Sequence, residues 1–272
     1  MERKTMIRGN KIFTIAMLAM LVSVCSFAQS RWTQLPESFK HTQKNQLLGA
    51  QYLDSALIKA ADSTGIRIVL IGDSHVKGKS FPQSLEATLL GTLPRLTMSY
   101  YGINGAWVGK FEESNLMQKV YDDRPDIVII SFGTNESHAP NYDEESHSKE
   151  MLSLISRIET RCPNVKFILT TPPGSYFHKR VGGTRRRPRY SFSRNETTLK
   201  VARNIVKFAA DNHVACWDIF TMAGGELYAC TNWRDNGYMQ SDNTHYTAPG
   251  YSLMGKLLGE AIIKTYYERV AH

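Results

Sequence analysis

Four short stretches of the chain carry residue types suited to one reaction. Ser74 ends the run IVLIGDS (68–74), Gly105 lies in YGINGAW (101–107), Asn135 in FGTNES (132–137), and Asp242 with His245 in SDNTHYTAPG (241–250). A serine hydroxyl is a poor nucleophile unless a neighbouring base accepts its proton, and the oxyanion formed on attack needs fixed donors around it. Ser74 reads as the nucleophile, placed at the start of a turn or helix whose free N–H groups favour negative charge, with its own N–H as one oxyanion donor. Gly105 offers a second backbone N–H that no side chain obstructs, and Asn135 a third donor through its amide. His245 reads as the base. Asp242, three residues earlier, is spaced to accept from one ring nitrogen and leave the other facing the serine, which fixes the tautomer. His75 is the weaker base, because a side chain adjacent to the serine points away from the hydroxyl's line of attack.

Singly, each has a plain alternative: Ser74 as a helix cap, Gly105 as a turn glycine, Asn135 as a turn or cap residue, Asp242 and His245 as surface residues. Their positions along the chain argue for one site. Short β-rich apolar runs at 66–71, 96–103, 126–132, 165–171 and 214–220 alternate with amphipathic segments at about 44–62, 82–90, 111–121, 144–161, 197–212 and 249–267. That alternation predicts an α/β fold, a doubly wound, flavodoxin-like sandwich with a five-stranded parallel sheet in the order 2-1-3-4-5. Such sheets bind ligands beyond the carboxyl ends of their strands, where strand order reverses. Ser74, Gly105 and Asn135 each follow a predicted strand, and His245 precedes the last helix.

These four blocks resemble the SGNH (GDSL-type) hydrolase superfamily of esterases and acylhydrolases, whose serine, glycine, asparagine and histidine match Ser74, Gly105, Asn135 and His245 in order. The resemblance spans about residues 66–267. His75 stands where a leucine gives the GDSL name, and Gly133-Thr134-Asn135-Glu136 ends in glutamate rather than aspartate; both departures are similar to the peptidoglycan O-acetylesterase branch. What the resemblance implies is a serine esterase that removes acetyl or other short acyl groups from a cell-envelope glycan such as peptidoglycan, with no cofactor. A lipid or aryl-ester acylhydrolase is the alternative enzyme. A non-hydrolytic glycan-binding module on the same scaffold is the alternative outside catalysis.

The chain begins with a basic stretch, an apolar run at 12–24 and small residues at 26–28, the pattern of a secretory signal peptide over 1–28. The run is too short to span a bilayer as an ordinary helix, and Val24 before Cys25 argues against a lipoprotein anchor. Residues 29–272 are then expected to form one catalytic domain of an exported, periplasmic or extracellular protein without integral membrane contact. The formal charge of +8 falls to +5 without the leader's four basic residues and one acid, and seven Lys or Arg with no acid crowd into 178–194. This segment follows strand four and reaches the rim of the site. It is read either as a solvated loop or as a recruiter of an anionic polymer through Arg185, Arg186, Arg187 and Arg189. Trp107 and Tyr176 are candidates to stack on a sugar. Nucleic acid is not expected, since no aromatic stacking platform is evident. Asp122, Asp123, Asp126, Asp235 and His213 lack metal-ligand spacing. Cys162, Cys216 and Cys230 read as small buried residues, with a Cys216–Cys230 bridge as the alternative.

Overall fold

A computed structural model describes residues 32–61 and 65–270. The expected leader over 1–28, with Cys25, lies outside them. Four strands arise where the apolar runs predict them: β1 (Ile66–Gly72), β2 (Leu96–Gly102), β3 (Ile127–Ser131) and β4 (Lys166–Thr170). After a hairpin of β5 (Tyr176–Gly183) and β6 (Pro188–Arg194) comes β7 (Ala215–Trp217). The five non-hairpin strands pair in parallel in the order β2-β1-β3-β4-β7, which is 2-1-3-4-5 counted along the chain. Nearly every residue of β1, β3 and β4 is buried, because helices cover both faces.

The strand period of two sorts the apolar residues between two layers. On one face Val69, Ile71, Val128, Ile130, Phe167 and Leu169 join Phe111, Met117, Leu154, Ile158, Val201 and Ile205 in one core cluster. These helical residues come from α4 (Val108–Glu112), α5 (Leu116–Asp122), α7 (Glu144–Arg161) and α8 (Thr197–Asp211). On the other face α1 (Asp54–Ala61) and α3 (Ser80–Leu90) pack with the long carboxyl-terminal helix α11 (Ala248–Val270). Short helical turns α2 (Ser74–Lys77), α6 (Thr134–Ser137) and α9 (Ile219–Met222), with α10 (Gly225–Asp235) and a 3-10 turn over Ala50–Leu53, complete the described elements.

Each difference from the sequence reading has a specific cause. The expected helix at 44–62 is helical only from Ala50, because Leu48 instead exchanges two backbone bonds with Cys216 (2.8 and 2.9 Å) and so covers the open edge of β7. The expected helix at 111–121 is two, broken where the Ser114 hydroxyl donates to the Phe111 carbonyl (2.7 Å) and accepts from the Leu116 N–H (3.3 Å). The fifth parallel strand stops at Trp217, since Asp218 caps the helical turn that follows. The basic segment is not an irregular loop but the β5–β6 hairpin. Cys162, Cys216 and Cys230 are all free and buried, so the alternative bridge does not form. Among the described residues no helix is long and apolar enough to cross a membrane.

Candidate active site

Strand β1 delivers Ser74 to the carboxyl edge of the sheet, and two glycines let it arrive there. A Cβ on Gly72 would lie 2.4 Å from the Val76 Cγ2 and 2.5 Å from the Ser131 carbonyl; one on Gly102 would lie 2.3 Å from the Lys77 N. The α2 turn therefore packs directly against β1 and β2. Asp73 caps it by accepting the His75 N–H at 2.9 Å, which leaves Ser74 as its first residue, half-buried and facing out.

The partner imidazole comes from 171 residues further on. The Ser74 hydroxyl lies 2.9 Å from His245 Nε2, and His245 Nδ1 lies 2.7 Å from Asp242 Oδ2. The Asp242 Oδ1 also accepts the backbone N–H of Thr244 and of His245, both at 2.9 Å, so one carboxylate folds the loop and orients the ring. Burial alone would raise the Asp242 carboxyl, but the bond to His245 and the two N–H groups outweigh it and hold the acid below its ordinary value. An ionised carboxylate there keeps the proton on Nδ1 and leaves Nε2 free to accept from the serine. The next residue, Tyr246, anchors the loop: it is fully buried, donates its hydroxyl to the Gly174 carbonyl at 2.8 Å, and packs against Trp233 and Tyr251.

The two other expected donors lie on the loops that follow β2 and β3. Gly105 is exposed, with φ +64°, and no atom comes within 4 Å of where its Cβ would be. It is the left-handed backbone, not crowding by neighbours, that calls for glycine, and the open space lies where a substrate would enter. Asn135 begins the second half of the cradle. Its amide donates to the Ala106 carbonyl at 2.8 Å and to Asp73 Oδ2 at 3.2 Å, tying the blocks of Ser74 and Gly105 together. Burial raises the Asp73 carboxyl above its ordinary value.

Sequence reasoning passed over the group that binds these blocks together. Glu136 is buried, accepting the Gly133 N–H at 2.9 Å and the Val108 N–H at 3.0 Å, one from each donor-bearing loop. Burial raises its carboxyl to about 7. The glutamate of the Gly-Thr-Asn-Glu block was the available signal; nothing local told that its partner would be Val108. His75 does turn away from Ser74, with Nδ1 2.8 Å from the Tyr251 hydroxyl and Nε2 3.1 Å from Thr134 Oγ1.

Trp107 stands at the rim, 46% exposed, with the Lys110 ammonium over its ring. Tyr176 is buried under Arg234, so it cannot stack on a sugar. Arg185, Arg186, Arg187 and Arg189 are exposed at and beside the hairpin tip. Among the described residues no group of three or more His, Cys, Asp or Glu is placed to hold a metal ion. Two grooves, of about 630 and 540 Å³, open at the amino ends of the strands and do not border the Ser74–His245 pair.

No curated protein matches the chain. Among solved structures, a peptidoglycan O-acetylesterase matches with a TM-score of 0.68 at 15% identity, over 83% of this chain and 99% of that one. A lipase/acylhydrolase from Enterococcus faecalis follows at TM-score 0.53 and 20% identity, over 72% and 95%. A variant of Axe2, an acetyl-xylooligosaccharide esterase from Geobacillus, gives 0.50 and 17%, over 74% and 95%. At such identities the likeness is one of fold. Residues 70–253, well over half of the chain, match the GDSL-like lipase/acylhydrolase family. With that match and the strand order of its sheet, the chain belongs to the GDSL-like lipase/acylhydrolase family and is a carboxylic-ester hydrolase.

Proposed function

We propose that the chain is a serine esterase that removes O-acetyl or other short acyl groups from a cell-envelope glycan, through an acyl-enzyme on Ser74. The observation that carries this reading is the unbroken relay from Asp242 through His245 to the Ser74 hydroxyl, at 2.7 and 2.9 Å. As the hydroxyl attacks the ester carbonyl, His245 Nε2 takes its proton, and the oxyanion is met by the N–H groups of Ser74 and Gly105 and by the Asn135 amide. Collapse of the tetrahedral adduct breaks the ester C–O bond, and the imidazolium protonates the departing sugar oxygen. Water, deprotonated by the same imidazole, then releases the acid and restores the serine.

The glycan is favoured by the leader-like residues 1–28, which would export residues 29–272 as the mature catalytic domain, and by the likeness to a peptidoglycan O-acetylesterase.

The test is an acyl-length series of 4-nitrophenyl esters on the purified protein, beside acetate release from O-acetylated peptidoglycan. Acetyl is expected to be turned over fastest, and Ser74→Ala to abolish turnover. A preference for long acyl chains transfers the assignment to lipid esters, and full activity in Ser74→Ala removes the nucleophile.

A further inference from the structure

We propose that the β5–β6 hairpin is a docking arm for a carboxylate-bearing polysaccharide, held across the mouth of the site; the inference rests on the glycan-esterase reading above. The root of the arm is fixed to the site. Tyr176 donates its N–H to the Asn243 carbonyl (2.9 Å), inside the loop that carries Asp242 and His245, and Phe177 packs edge-on against His138, three residues after Asn135. The buried Asn195 amide bonds the Ser137 carbonyl and the Ser175 hydroxyl, and Arg194 donates to the Leu227 carbonyl (2.9 Å). From Tyr176 to Gly183 the strand rises by about 3.3 Å per residue, so the tip stands about 20 Å from the arm's root.

What the arm displays is unusual for a structural hairpin. Its residues beyond Tyr176 are exposed throughout, apart from the half-buried Gly182. Register places His178 opposite Phe192 and Arg180 opposite Tyr190, so one face carries three rings, with His178 5.5 Å from Tyr190 and 6.4 Å from Phe192. Tyr190 and Phe192 remain 46% and 37% exposed. Arg180 closes the turn on the Gly183 carbonyl, while Lys179, Arg185, Arg186, Arg187 and Arg189 make no ion pair among the described residues. Unpaired like charges at one tip repel one another, which an anionic partner relieves. Guanidinium forks match carboxylates bidentately, and flat exposed rings suit the C–H faces of sugars. The order of these groups selects the partner. A hairpin that enters a bilayer carries its aromatic residues foremost; here the rings lie along the shaft and the arginines lead. A chain of acidic sugars meets both, its rings on the shaft and its carboxylates at the tip.

The experiment measures binding of the natural protein to polygalacturonate, to neutral dextran and to phosphatidylglycerol vesicles. The expected result is binding to polygalacturonate that weakens as salt rises from about 50 to 300 mM, with dextran at least tenfold weaker. Arg185→Gln, Arg186→Gln, Arg187→Gln and Arg189→Gln together should lower that affinity at least tenfold, and the four lysine replacements, which keep the charge, should lower it less. Equal loss in both quadruple variants, equal affinity for dextran, or preference for the vesicles overturns the docking arm. Turnover of 4-nitrophenyl acetate by the natural protein separates the two readings. An active protein indifferent to polymer charge refutes only the arm, and a protein that binds the polymer but cleaves no ester refutes only the esterase.

Discussion

Replacing Glu136 by glutamine separates two tasks that one buried carboxyl performs. The first is electrostatic. Burial raises the carboxyl from 4.5 to about 7, so between those pH values the folded protein holds a proton that the unfolded chain has released. A group protonated more readily in the folded state contributes stability that is lost as pH rises, here across 4.5 to 7. From pH 5 to pH 6.5 this amounts to about 2 kcal/mol, at about 1.4 kcal/mol per unit for one proton. His147 Nε2, 3.9 Å from the carboxyl, works in the opposite direction: burial lowers it to about 4, so its contribution grows as pH rises toward 6.5. In the natural protein the two slopes offset one another. In Glu136→Gln only the histidine's survives, and the variant should gain about 2 kcal/mol on the natural protein between pH 5 and 6.5. The second task is positional. The amide turns one acceptor into a donor facing an N–H of Gly133 or Val108, a lost buried bond costing about 1–3 kcal/mol at every pH. With the Gly105 and Asn135 loops loosened, kcat should fall about tenfold while KM changes little. Urea unfolding followed by tryptophan fluorescence at four pH values, with ester kinetics alongside, reads both effects. Parallel stability–pH curves for the two proteins would mean that the carboxyl is ionised when folded, and unchanged kcat would mean that it does not hold the donor loops.

Three other substitutions probe the site and its support. Asn135→Ala removes the amide proposed as an oxyanion donor and should lower kcat on the order of 10²–10³, measured on 4-nitrophenyl acetate. Asp242→Asn presents a donor to His245 Nδ1, turning the N–H of the ring toward Ser74; a loss of roughly 10⁴ in kcat with an unchanged melting temperature is expected. Gly72→Ala forces a Cβ against the Ser131 carbonyl, which the sheet cannot move, and should cost about 1–3 kcal/mol, or roughly 3–10 °C in Tm by calorimetry.

Much of the fold was legible because its signals are local. A buried parallel strand is an apolar run, a covering helix repeats its apolar residues at 3.6, and five such runs in alternation leave few topologies. The candidate site was legible for the same reason: Ser74, Gly105 and Asn135 each follow a strand, and Asp242 and His245 share one short loop. Where the chain left the expected pattern, a particular contact was the cause, near or far. Leu48 was drawn out of its helix by the open edge of β7, and the basic stretch after β4 paired with itself.

By itself, the sequence determined which elements form and which residues stand at their ends, since periodicity and chain order are properties of neighbours. Tertiary packing alone settles that Ser74 and His245 meet across 170 intervening positions, that the Asn135 amide is already engaged, and that Glu136 lies dry between two loops. Those outcomes depend on which groups lose their water together, a quantity that no stretch of sequence carries alone.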